Sequence, residues 1–306
     1  MKVSRQLQNL FVRMLSESMP EHTMQKIVRR MISNYDLHER TGFPTNIPIT
    51  GLTAANQIMM DIIEEEQFLK FITLLIDVYE NGFMGTKIRL SLLPQIIADL
   101  EAIGIVYNRE YKRFMESKKE GTSRGWRVLE DGKVYEFTFL RLDIVKNSEL
   151  VRNYDREKIV EVYNDLKEIV KKHVERRNGR VWEWEGDGVL VAFYFEDKNI
   201  NAVLCGIEIL LNLFMYNMFE RKLDEPILVR VAIHAGPSQF LQDIGMLQNE
   251  TITRLEQLES QHTLPDSLTL SPGVYQDLGG KLEQLFQVAE LTPGTNIYRF
   301  KIRWEE

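Results

Sequence analysis

A single cysteine, Cys205, serves the whole 306-residue chain. One thiol excludes an internal disulfide and a cysteine-built zinc site, and it fits a reducing compartment. Histidine is nearly as scarce: the five, at 22, 38, 173, 234 and 262, form no cluster with metal-site spacing. Positive charge is not in excess either. Lys and Arg number 38 against 45 Asp and Glu, a net charge of -7, which argues against a nucleic-acid partner held by bulk charge. Long uninterrupted apolar runs are also missing. The most hydrophobic stretch, residues 202–219, contains Gly206, Glu208, Asn212 and Asn217, so a buried helix is expected there rather than a membrane span of about 20 apolar residues. The first residues lack a signal-peptide layout because Arg13, Glu17 and Glu21 interrupt them. The expectation is a cytoplasmic protein with no membrane partner.

What is present is ordinary for a folded protein: 44% hydrophobic and 27% charged residues, at a length that suits two domains. Residues 1 to 108 carry helical spacing, as in Leu7, Leu10, Phe11, Met14 and Leu15, then Met24, Ile27, Val28 and Met31. Gly42, Pro44 and Pro48 mark a loop, and Gly104 closes a helix over 90–103. An all-α regulatory or dimerisation domain is therefore expected over residues 1–122. Two short helices followed by the apolar Ile105-Val106-Tyr107 also suit a winged helix, but no basic recognition helix accompanies them. The basic stretch 109–127 reads as a solvated linker.

Over residues 128–304 the pattern changes. A hairpin at Asp131-Gly132 leads into a strand at 134–143, then an amphipathic helix (155–174) and strands at 180–184 and 189–195. A helix at 199–219 and a strand at 227–234 follow. A further helix (248–261), a strand (267–271), a short helix and a closing hairpin at Pro293-Gly294 complete the domain. The order β-α-β-β-α-β predicts an α+β fold of the ferredoxin-like split βαβ type, an antiparallel-rich sheet with helices on one face. Trp182 and Trp184 alternate with Glu183, so both are expected on one side of their strand, in core packing.

Two aspartates stand where carboxylates are poorly placed unless used. Asp143 ends the apolar run Phe137-Thr138-Phe139-Leu140-Arg141-Leu142-Asp143-Ile144, and Asp187 interrupts Trp184-Glu185-Gly186-Asp187-Gly188-Val189. Asp187-Gly188 is also a good hairpin-turn pair, and Asp143 could cap the next helix. Brought together, the two carboxylates could hold Mg²⁺ or Mn²⁺ against a triphosphate.

Residues 134–302 resemble the class III adenylate/guanylate cyclase homology domain. The resemblance rests on five pieces in order: Leu140-Arg141-Leu142-Asp143-Ile144; residues 179–193 around Asp187; Val229-Arg230-Val231-Ala232-Ile233-His234-Ala235-Gly236-Pro237; Leu258-Glu259-Ser260; and Leu270-Ser271-Pro272-Gly273-Val274-Tyr275. The Gly-Gly-Asp-Glu-Phe signature of diguanylate cyclases is absent. The resemblance implies conversion of a nucleoside triphosphate, GTP or ATP, to a 3′,5′-cyclic nucleotide and pyrophosphate by two-metal catalysis in a homodimer. It implies Asp143, Asp187 and the Ile144 carbonyl as ligands of two Mg²⁺ or Mn²⁺ ions. It implies a phosphate-facing turn at Val145, Lys146, Asn147 and Ser148, which departs from the family's Gly-Phe-Thr.

Glu183 stands where guanylyl cyclases carry a glutamate, which can accept hydrogen bonds from guanine N1–H and N2–H. Relatives that act on cytidine or uridine triphosphate keep those substrates open. The family's Asn-x-x-x-Arg pair, supplied by the partner protomer, is missing here. One register sets Glu250 and Arg254 in its place; the other sets Thr253 and Gln257. The alternative is a cyclase-shaped module, weak or inactive, that binds nucleotide or mediates dimerisation.

Overall fold

A computed structural model describes residues 3–116, 129–195, 197–240, 249–292 and 295–302. The chain divides into two compact units, one N-terminal and one beginning in earnest at Leu129.

The N-terminal unit contains α1 (Arg5–Ser18), α2 (Glu21–Val28), α3 (Leu37–Thr41), α4 (Gly51–Glu64), α5 (Phe68–Asn81) and α6 (Leu93–Ala102). Polar caps set several starts. Ser4 accepts from the Leu7 N–H at 3.2 Å, Thr50 from the Thr53 N–H at 3.2 Å, and Asp36 from the His38 N–H at 2.9 Å. The core closes around Phe11, whose ring lies 5.6 Å from those of both Phe68 and Phe71. The unit is not wholly helical. It ends in a hairpin of β1 (Ile105–Asn108) and β2 (Arg113–Glu116). Part of the stretch read as linker is thus a strand, because Phe114 is buried 5.2 Å from the Tyr107 ring.

The second unit contains β3 (Val134–Ile144), α7 (Asn147–Asn153), α8 (Arg156–Arg176), β4 (Arg180–Glu185), β5 (Gly188–Phe193), α9 (Lys198–Phe219) and β6 (Val229–Gln239). It continues with α10 (Glu250–His262), β7 (Ser267–Leu270), α11 (Pro272–Gln276), α12 (Gly280–Glu283), β8 (Gln287–Thr292) and β9 (Thr295–Lys301). The sheet order is β4-β5-β3-β6-β7-β9-β8, antiparallel except for β6 beside β7. The first four strands with α8 and α9 form the expected split βαβ core. The turn at Asp131-Gly132 is present and is tied to the end of β6, with the Gly132 N–H donating to the Phe240 carbonyl at 2.7 Å. Val128 before it and Pro293-Gly294 in the closing hairpin lie outside the described residues.

Alternation along the strands gives the sheet two different faces. Leu140, Leu142 and Ile144 of β3, Val189, Val191 and Phe193 of β5, and Val229, Val231 and Ile233 of β6 share one apolar core with α8 and α9. By length and composition α9 could cross a membrane, yet Ala202, Val203, Cys205, Ile209, Leu210 and Leu213 are all buried in this core. Burial also pushes the Cys205 thiol far up, so it stays protonated.

The helices are not all on that face. Strand β3 turns Phe137, Phe139, Arg141 and Asp143 the other way, and α10 packs over them. Gly236 permits its close approach. A β-carbon there would come within 2.7 Å of the Thr251 Oγ1, which donates to the Pro237 carbonyl at 2.7 Å.

Candidate active site

Asp143 is the penultimate residue of β3, and Asp187 lies in the two-residue turn between β4 and β5. Gly186 takes φ +59° to make that turn. Because β5 pairs with β3 at Leu142↔Val189, the turn falls beside the end of β3. The two carboxylates are electrostatic neighbours. Burial raises the Asp187 pKa above the usual carboxylate value, and the charge of Asp143 adds to the rise. The turn position of Asp187 also sets its carboxylate beside Asp143. Asp143 is not a helix cap: the residue before α7 is Lys146, in the left-handed region at φ 57°, and no side chain caps the helix.

Asn147 ties the site to the helical face. It hydrogen-bonds the Asp187 carboxylate through its side chain, and its Oδ1 accepts from the Tyr163 hydroxyl on α8. The phosphate-facing turn is therefore less open than expected. The Val145 N–H donates to the Leu228 carbonyl at 2.9 Å, and Lys146 reaches Glu149 at 3.3 Å. Val145 offers no free amide. Asn147 is placed to orient Asp187, and Ser148 is exposed.

The residue that sequence reasoning left without a role is Arg230. It sits opposite Asp143 in the β3/β6 register and places Nη2 2.5 Å from the Asp143 Oδ2. Its Nε lies 2.7 Å from the Glu259 Oε1, and the other Glu259 oxygen lies 3.7 Å from the Arg141 Nε. Arg141 also reaches Glu256 at 3.4 Å. Glu259 is only 4% exposed; burial raises its pKa even though Arg230 and Arg141 pull the other way. The available signal was charge on an interior strand: Arg230 stands between Val229 and Val231, where a half-buried strand should be apolar or solvated.

Glu183 reaches the site face through a β-bulge. Val181 pairs with Val191, but Glu183 pairs with Leu190, so Trp182 is the extra residue. The expectation for the two tryptophans fails for this reason. Trp182 packs on Phe137, Phe139 and Phe240, while Trp184 joins the α8/α9 core with Lys167 over its ring at 5.5 Å. Leu190 also pairs with Arg141, so Glu183, Leu190 and Arg141 run across one face, the face of Asp143.

Glu250, Thr253, Arg254 and Gln257 all lie on α10, exposed. Their spacing puts them on one side of the helix, so both registers select the same surface. Arg254 pairs with Glu250 at 2.5 Å. His234 faces α10 from β6 and is satisfied as a strand residue, its Nδ1 2.9 Å from the Ser271 hydroxyl.

The donor set suits a hard divalent cation. Two half-buried carboxylates are electrostatic neighbours, and Ile144 follows one of them in the chain. Among the described residues no group of three His, Cys, Asp or Glu competes as a metal site.

The second unit is a mixed α/β domain with a mostly antiparallel sheet, and it carries a pair of acidic residues at one sheet end. No protein-family model matches the chain, and no curated protein matches it significantly. Among solved structures it is similar to class III adenylate/guanylate cyclase catalytic domains. One is the guanylate cyclase domain of RhGC from Catenaria anguillulae in complex with GTP: 21% identity, 56% of this chain and 100% of that one, TM-score 0.47. Another is the catalytic core of a rhodopsin-guanylyl cyclase with converted specificity in complex with ATPαS: 20% identity, 56% and 98% coverage, TM-score 0.48. A third is the adenylyl cyclase CyaB from P. aeruginosa: 17% identity, 56% and 96% coverage, TM-score 0.48.

Proposed function

We propose that the second unit is a nucleotidyl cyclase domain. It converts a nucleoside triphosphate, GTP before ATP, to a 3′,5′-cyclic nucleotide and pyrophosphate, in a cytoplasmic homodimer. The observation that carries this reading is the electrostatic coupling of Asp143 and Asp187 at one end of the sheet.

Asp143 and Asp187, with the Ile144 carbonyl, would hold two Mg²⁺ or Mn²⁺ ions. Bound there, the ions would acidify the ribose 3′-hydroxyl and neutralise the triphosphate. The protein's own contribution is placement. Asn147 orients the Asp187 carboxylate, and Tyr163 fixes Asn147. Arg230 holds the Asp143 carboxylate from across the sheet. Glu183, aimed at this face by the bulge, accepts from guanine N1–H and N2–H. The exposed side of α10, with Glu250, Thr253, Arg254 and Gln257, faces the second protomer's triphosphate. Arg254 is its one cation for charge developing on the phosphates.

The test is purified full-length protein with Mn²⁺ and each of the four ribonucleoside triphosphates, the products separated by chromatography. Cyclic product that is lost in Asp143→Asn and Asp187→Asn supports the proposal. Nucleotide-dependent stabilisation with no product from any triphosphate would sink it.

A further inference from the structure

The N-terminal unit contains a cleft of about 450 Å³, within the range of small-molecule sites. It lies between the α1–α2 corner and the segment that follows α5. Its composition differs from that of the chain as a whole. The protein carries more acidic than basic residues, yet the cleft is lined by Lys26, Lys87 and Arg89 and by no aspartate or glutamate. Among the described residues none of these three cations makes an ion pair. All three are exposed, so water and salt screen their mutual repulsion, and the unbalanced positive charge favours an anion in the cleft. The rest of the lining includes Met19 and Phe83, both buried, and Met84, which is 70% exposed. Thioether and aromatic surface adapts to apolar ligands of varied shape.

The wall is preformed. Phe83 and Thr86 exchange backbone hydrogen bonds at 2.8 and 3.0 Å around Met84-Gly85, both at positive φ (49° and 79°), as in a type I′ turn. Gly82, at φ 78°, admits no side chain, because a β-carbon there would meet the Thr86 carbonyl at 2.9 Å. Arg30 stacks over the Phe83 ring at 4.7 Å. The turn requires positive φ at Met84, and this holds the Met84 side chain out at the cleft.

We propose that this cleft binds a small amphipathic anion, its charged group at Lys26, Lys87 and Arg89 and its apolar body against Met19, Phe83 and Met84. No residue of the sheet domain is involved, so the site stands whether or not that domain turns over nucleotide.

Full-length protein labelled at the methionine methyl groups is titrated with octanoate, octyl phosphate, octanol and inorganic phosphate, and the Met84 resonance is assigned with Met84→Leu. Saturable shifts of that resonance by octanoate or octyl phosphate are expected. The double variant Lys87→Glu/Arg89→Glu should weaken binding about tenfold or more, with unchanged circular dichroism. Octanol matching the anions would overturn the charge assignment, inorganic phosphate matching them would overturn the apolar one, and no saturable shift from either anion would overturn the site.

Discussion

The two faces of the seven-stranded sheet are built from the same strands yet carry opposite chemistry. On the α8/α9 side, β3, β5 and β6 contribute mainly apolar side chains to a closed core, with the Thr138 hydroxyl donating to Asn199 of α9. On the other side the same strands carry Arg141, Asp143 and Arg230 beneath the Glu256 and Glu259 of α10. Burying charge is costly, and a set of paired ions is at best a break-even substitute for hydrocarbon. The first face shows that this chain had hydrocarbon available for packing. Charge on the second face is therefore explained by what it holds, and what lies at its edge is the Asp143/Asp187 pair.

That contrast predicts separable damage. Asp143→Asn should lower cyclase turnover by about a hundredfold or more, the scale of losing one organised electrostatic partner. It should leave the urea midpoint nearly unmoved, because Arg230 keeps Glu259 as a partner. Phe193→Ala, 1% exposed on the apolar face and against Gly179, should cost about 3–5 kcal/mol of stability. Chemical denaturation of both variants with product assays on the folded fraction measures the pair. Equal stability losses would erase the distinction.

Glu259→Gln tests the link between the charged layer and the fold. It removes an almost fully buried anion from between two guanidinium groups and leaves both in place. Breaking one partner of a buried ion set costs about 3 kcal/mol. Arg141 and Arg230, 19% and 27% exposed, keep Glu256 and Asp143 as partners, so a loss of about 2 kcal/mol is expected in urea unfolding. Gly236→Ala should cost about 1–3 kcal/mol by pushing Thr251 and α10 off β6. A neutral Gly236→Ala would show that α10 is not seated as described.

Much of this architecture was legible in the residues. The alternation of β3 and the helical stripe of α8 gave the split βαβ order, and Asp143 and Asp187 stood out because carboxylates end or interrupt apolar strands there. What was hidden depended on register. The bulge that sends Trp182 and Trp184 to opposite faces adds one unpaired residue on one strand, and no local pattern in Arg-Val-Trp-Glu-Trp-Glu reveals it. Arg230 was visible as a charge in a strand, but its partner is 87 positions away. The hairpin β1/β2 was masked by its own basic composition; Phe114 and Met115 hinted at a helix there, and the segment is a strand. The comparison of faces likewise needed α10, whose side of the sheet is not encoded by its own amphipathic stripe.

The smallest expected effect probes a polar cluster between the helices of the apolar side. His173 on α8 places Nδ1 3.3 Å from the Glu208 carboxylate of α9, and its Nε2 lies 3.1 Å from the Asn212 amide nitrogen, a donor. That arrangement makes Nε2 the acceptor and the ring neutral. Two influences conflict: Glu208 favours the charged ring, but burial outweighs it and lowers the pKa below 6.5, with Lys172 and Arg176 adding to the fall. Glu208 itself is opposed by burial yet held below its usual value by Arg177, so it titrates well beneath this window. In the window from about 6.5 down to the lowered folded value, the unfolded chain binds a proton that the native chain refuses. Stability should therefore be full above pH 7 and fall on acidification through that window, by about 1.4 kcal/mol per pKa unit. His234 is lowered too, by burial and then by Arg254, and gives a slope of the same sign. His173→Asn should flatten the pH dependence of the urea midpoint between pH 7 and 5.5 without abolishing it. An unchanged slope in that variant would mean that burial does not lower the His173 pKa in the native protein.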